Sequence, residues 1–229
     1  MCPNMNPLDA LHLQLRLEGR ALIGDDSLRQ VEVVHDEEMP LMVITQLADQ
    51  NLVAYFDEAL EQELQAELKK QVSRIAFPNI NALSALLNQR NISFEVGQYK
   101  TTTFPEAYAA FKDETVHCYS RQDPAIKTFG FDGFAENVYA IEKDGKHVSA
   151  CVSTRENASC GEAWVYTDKK YRHQGLAQKV VSVWAASLFS AGKVPFYSHK
   201  IQNVASANLA KRLGLQPLFE EIVISYVNV

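Results

Sequence analysis

No apolar run in this chain of 229 residues approaches the ~20 consecutive residues that a membrane-spanning helix requires. Residues 1–7 lack the charged start and apolar core of a secretion signal, so the chain is expected in the cytoplasm. Cysteine is scarce: Cys2, Cys118, Cys151 and Cys160 show no C-x-x-C spacing and no repeating pattern with histidine. That distribution argues against a disulfide framework or a zinc site, and for reduced structural thiols. No basic tract is present and the formal net charge is −6, which disfavours generic nucleic-acid binding. The G-x-x-x-x-G-K-[ST] pattern of P-loop nucleotide hydrolases is missing, as are internal repeats and low-complexity segments.

What is present is an ordinary globular composition, 47% hydrophobic, in a chain long enough for one large domain or two small ones. An amphipathic stretch at residues 8–17 is followed by apparent strands at 41–45 and 52–56. A helix is predicted from Asp57 through Val72, with Leu60, Leu64 and Leu68 on one face. Another is predicted at 82–88, with a short strand at 92–96. Glycine, polar residues and a threonine run at 97–103 mark the best junction between an N-terminal domain, 1–100, and a second domain, 101–229.

After the junction a helical start is predicted at 106–111, with irregular connections at Asp123-Pro124 and at 130–133. Strands at 138–142 and 147–153 flank an Asp144-Gly145 pair, a strong hairpin signal. A strand at 162–167 then runs into Arg172-His173-Gln174-Gly175-Leu176-Ala177 and a long helix ended at Gly192. A small-residue turn at a helix start aims several backbone N–H groups, and the positive end of the helix dipole, at one spot. That is anion-binding architecture, and Lys169, Lys170, Arg172 and Lys179 add local positive charge. A short buried strand at 195–198 and a capped helix at 203–213, closed by Gly214, follow. The last strands are expected within 218–227, with Glu220-Glu221 separating two apolar runs.

The segments YTDKKYRHQGLA, VPFYS and NVASANLAKRLGL together resemble the GNAT N-acetyltransferase superfamily, and within it bacterial members with an extra N-terminal domain. The resemblance implies an α+β fold: a mixed, mostly antiparallel twisted sheet flanked by helices, with a smaller α/β N-terminal domain shaping the acceptor site. It also implies acetyl-CoA as co-substrate, no metal, and transfer to a primary amine of a small molecule by direct attack. Partners are then a small-molecule amine, with no nucleic acid and no membrane; a homodimer is allowed.

On this resemblance Arg172, His173, Gln174, Gly175, Leu176 and Ala177 cradle the pyrophosphate, chiefly through backbone N–H groups. Val165, Tyr166 and Thr167 lie along the pantetheine arm, and Asn203 and Ser206 lie near it or near the thioester. Asn203 and Ser206 are also good residues for starting a helix, and both readings can hold. Glu162 is the candidate general base, and alternation puts it on one face with Trp164 and Tyr166; an exposed strand-end carboxylate is the competing reading. Ala210 stands where many members carry a tyrosine that protonates the leaving thiolate, so Ser206, Tyr197 or water is left for that step. A non-catalytic acyl-CoA-binding regulatory protein and a protein N-acetyltransferase remain alternatives.

Overall fold

In the computed structural model of the chain, residues 5–32, 39–127, 129 and 134–227 are described. Cys2 and the connection expected at 130–133 lie outside them. The chain divides into two compact units, one made of Asn6–Lys100 with the residues from Leu218 onward, the other of Thr101–Pro217. No helix among the described residues is long and apolar enough to cross a membrane.

The first unit opens with α1 (Pro7–Leu17), whose Asn6 cap accepts from Leu8 N–H and whose first position is proline. β1 (Arg20–Ile23) and β2 (Ser27–Gln30) form a short antiparallel pair that the sequence reading passes over, because strands of four residues carry little periodicity. β3 (Met42–Leu47) and β4 (Leu52–Asp57) follow as expected. α2 (Gln62–Val72) starts five residues later than the predicted Asp57, which ends β4 and accepts from Ala59 N–H at 2.9 Å. α3 (Asn81–Gln89) packs Leu83 and Leu87 into a core with Leu64, Leu68, Phe56 and Ile222.

β5 (Phe94–Thr103) runs straight through the segment read as a junction. The three threonines at its end are β-branched and suit an extended backbone, and the ring of Tyr99 lies where a Cβ on Gly97 would be, 2.5 Å away. β11 (Gln216–Tyr226) is a single strand rather than two. Glu220 pairs with Lys100 at 2.7 Å and Glu221 is buried, so neither interrupts it. The order in this unit is β1-β2-β4-β3-β11-β5.

In the second unit a 3-10 turn (Glu106–Ala110) precedes β6 (His117–Ser120), α4 (Pro124–Lys127), β7 (Asn137–Lys143), β8 (Lys146–Glu156) and β9 (Cys160–Thr167). Then come α5 (Leu176–Ser190), β10 (Val194–Lys200) and α6 (Val204–Arg212). Asp144 and Gly145 both have positive φ, as the hairpin between β7 and β8 requires. The strands run in the order β10-β9-β8-β7-β6, with β10 parallel to β9 and the rest antiparallel. The end of β5 borders β10, where Thr102 Oγ1 donates to the Tyr197 carbonyl and Thr103 Oγ1 to the Pro195 carbonyl, both at 2.9 Å.

α5 covers one face of this sheet, packing Val180, Val181, Trp184 and Leu188 against Cys151, Ala163 and Tyr197. The buried Trp184 indole donates to Ser153 Oγ at 2.9 Å. The opposite face has its own cluster, Ile126, Val138, Ala140, Ala150 and Val152. A mixed, mostly antiparallel sheet with helices against it is the α+β architecture expected. The thiols of Cys151 and Cys160 are buried and that of Cys118 is exposed, and none of the three is in a disulfide.

Candidate active site

β9 and β10 are neighbours over only three rungs, Val194 with Cys160, Pro195 with Gly161 and Phe196 with Glu162. Beyond Phe196 and Glu162 the register ends while both strands continue, to Lys200 and Thr167. The two strands therefore part in mid-sheet, and β9 presents to the gap an edge that β10 does not pair. Backbone N–H and C=O groups at such an edge accept an extended amide-bearing chain as an added strand would.

The gap opens into a cavity of about 470 Å³, within the ~300–1,000 Å³ typical of ligand sites. Val165, Tyr166 and Thr167 line one side, and Tyr197 lines the strand opposite. At one end sits the turn before α5. Arg172 Nε donates to the Thr167 carbonyl at 3.1 Å, folding the loop back on the strand that feeds it. His173 (φ 62°) and Gly175 (φ 76°) both adopt the left-handed conformation, which brings the backbone round into the helix. A Cβ on Gly175 meets only Gln178 Oε1, at 3.7 Å, so glycine serves the backbone angle rather than a crowded side-chain position. No side chain caps α5, leaving its first-turn N–H groups for an anion.

α6 forms the other wall. The Asn203 side chain caps it, accepting from Ser206 N–H at 3.1 Å, and both residues line the cavity. Tyr197 is 2% exposed, and burial pushes its phenol up to about 12, partly offset by a hydrogen bond with Ser206. The phenol therefore keeps its proton at any physiological pH and can act as a donor.

The sequence pattern of the GNAT acetyltransferase family matches residues 20–221. The chain belongs to the GNAT acetyltransferase family. Among solved structures, a GNAT-family protein from Novosphingobium aromaticivorans DSM 12444 matches at TM-score 0.50 and 17% identity, over 58% of this chain and 66% of that one. A GNAT-family acetyltransferase from Colwellia psychrerythraea matches at TM-score 0.50 and 16% identity, over 79% of each chain. At these identities the likeness is one of fold. A search of curated proteins finds no significant match.

For this GNAT chain the structure brings together Val165, Tyr166, Thr167, Arg172, His173, Gly175, Leu176, Ala177, Asn203 and Ser206 around one cavity. Gln174 is not among its lining residues; its Oε1 accepts from Lys143 Nζ at 3.1 Å, so the side chain is engaged elsewhere. Lys179, counted in the basic patch, is taken by Asp113 at 2.9 Å.

Glu162 is also absent from the lining. It is 4% exposed, and its Oε2 lies 2.9 Å from Arg155 Nε in a buried ion pair. The setting expected from alternation was a carboxylate beside two aromatics, but a shift of register between Ser153 and Arg155 brings the guanidinium opposite it instead. Ala210 is buried in the core against α5. Tyr171, Ala205, Asn208, Leu209 and Arg212 are lining residues the sequence reading missed. On α6 the spacing 205, 208, 209, 212 marks one helical face and was the available signal. Among the described residues no group of three or more His, Cys, Asp or Glu side chains is placed to hold a metal ion.

Proposed function

We propose that this chain is an acetyl-CoA-dependent N-acetyltransferase that moves an acetyl group to a primary amine of a small molecule by direct attack. The observation that carries the reading is the parting of β9 from β10 directly beside an uncapped helix start with a left-handed glycine. The diphosphate lies against the N–H groups of residues 173–177, with Arg172 and Arg212 supplying positive charge at the cavity wall. The pantetheine amides pair with the free edge at residues 165–167.

In this reading a backbone N–H at the opening, that of Val165, polarises the thioester carbonyl while the neutral amine attacks carbon. The C–N bond forms first, giving a tetrahedral intermediate; its collapse breaks the C–S bond, and the departing thiolate accepts a hydrogen bond from the Tyr197 phenol, itself held by Ser206. Glu162, paired with Arg155 and set back from the cavity lining, is not placed to reach the amine, whose proton leaves through water at the open mouth. The pair instead fixes the last rung before the strands part.

A second reading, an acyl-CoA-binding regulatory protein without turnover, draws support from the alanine at position 210 and the occupied carboxylate of Glu162. Free-thiol release from acetyl-CoA, followed across a panel of primary amines against a no-amine control, separates the two. Amine-dependent release is expected; tight binding with no amine-dependent release favours the regulatory reading.

A further inference from the structure

Successive residues of β9 point to opposite faces. Ala163 and Val165 pack with α5, whereas Trp164 and Tyr166 stand in register with Val152 and Ala150 on the other face. That face is apolar, yet Trp164 and Tyr166 are 38% and 37% exposed. Each is backed by a second ring: Phe134 lies against Trp164 at 5.3 Å between centroids, and Phe129 against Tyr166 at 5.5 Å. Two aromatic pairs thus sit side by side, separated by about 6.6 Å, twice the ~3.3 Å rise of a strand. Tyr166 also lines the cavity, so one end of the aromatic shelf is continuous with the proposed donor site. At the other end, Glu162 and Arg155 form an ion pair.

We propose that Trp164, Tyr166, Phe134 and Phe129 form the acceptor subsite, and that it takes a primary amine carrying an aromatic ring about two carbons from the nitrogen. The inference rests on the acetyltransferase reading for the chemistry, but not for the binding. The ring lies on Trp164, one strand repeat from Tyr166, which leaves the nitrogen level with Val165 at the opening. A planar ring gains offset or edge-on contacts with these side chains that a saturated ring of the same size lacks.

The test uses the full chain with 2-phenylethylamine and 2-cyclohexylethylamine, which share the two-carbon spacing and carry a planar aromatic and a puckered saturated six-membered ring respectively. Acetyl transfer is followed by thiol release. Direct amine binding is followed by calorimetry and by quenching of Trp164, the exposed one of the two tryptophans. The aromatic amine is expected to show kcat/KM about fivefold or more above the saturated one. Trp164→Ala should weaken its binding about tenfold at unchanged acetyl-CoA affinity, and Trp164→Phe should restore most of it. Equal kcat/KM and equal binding for the two amines, or no effect of Trp164→Ala, overturns the proposal. If no amine is acetylated, the amine titration still decides: Trp164-dependent aromatic binding upholds the subsite and removes only the transfer reading, and its absence removes the subsite.

Discussion

Glu162 and Phe196 are the last residues at which β9 and β10 are paired. One position further, Tyr197 faces the cavity on β10 and the unpaired edge of β9 begins. The same short stretch holds the Glu162–Arg155 pair, the Tyr197–Ser206 hydrogen bond and the start of the aromatic shelf. Structural and chemical roles are therefore crowded into a few rungs, and substitutions there should separate cleanly by what they change.

Gly175→Val places a β-branched residue at φ 76°, a conformation that costs an L-residue about 1–2 kcal/mol. The backbone relaxes away from it and carries the first-turn N–H groups with it. Calorimetry should show acetyl-CoA affinity reduced tenfold or more, with melting lowered by only a few degrees. Gly175→Asn, a residue more tolerant of the left-handed region, should retain more affinity than the valine variant. Equal, wild-type affinity in both would detach the loop from the ligand.

Glu162→Gln leaves the half-buried Arg155 facing a neutral group. Breaking such a pair costs about 3–5 kcal/mol, which for a chain of this size lowers the melting temperature by roughly 6–20 °C. Acetyl-CoA affinity should hold, and kcat should fall by less than about tenfold. Below the amine's pKa of ~10, the rate should climb about tenfold per pH unit in variant and wild type alike, tracking the neutral amine. A loss of 10²-fold in kcat at pH 7, partly recovered at high pH with melting unchanged, would restore Glu162 as the general base.

The sequence showed the loop well because each of its requirements is local. A glycine at a left-handed helix start and an Asp-Gly hairpin are read from adjacent residues, and Gly175 and Asp144-Gly145 stand as expected. The partner of Glu162 was not legible. It depends on a register shift at Ser153/Arg155 that skips a residue on the neighbouring strand, and alternation along β9 alone carries no trace of it. At residues 97–103 one division between the units falls between Lys100 and Thr101, inside the segment read as a junction. The strand that runs through it was not legible: its threonines look like a linker until β10 is beside them to accept from the hydroxyls. Tyr197 was only one of three candidates in the sequence for protonating the thiolate, with Ser206 and water, since an aromatic in a short apolar strand also looks like core, and here it is both core and cavity wall.

Tyr197 makes stability depend on pH. Burial raises its phenol from 10.0 to about 12 in the folded chain, so the unfolded chain loses this proton first as pH rises. The favourable contribution is fully present below pH ~10 and is lost as pH rises from there through 12, about 3 kcal/mol in all. Tyr197→Phe should flatten that part of the curve of unfolding free energy against pH. It should also lower kcat for acetyl transfer while leaving acetyl-CoA affinity nearly unchanged. An identical alkaline loss of stability in the phenylalanine variant would show that another group is responsible.

In the proposed function the gap between β9 and β10 and the turn before α5 hold one ligand, acetyl-CoA. Amide hydrogen exchange across the full chain, with and without saturating coenzyme A, measures it directly. Protection is expected at residues 163–167 and 173–179, with the far strands β6 and β7 unchanged. Protection confined to other segments, or none at saturation, would mean that acetyl-CoA does not occupy this gap.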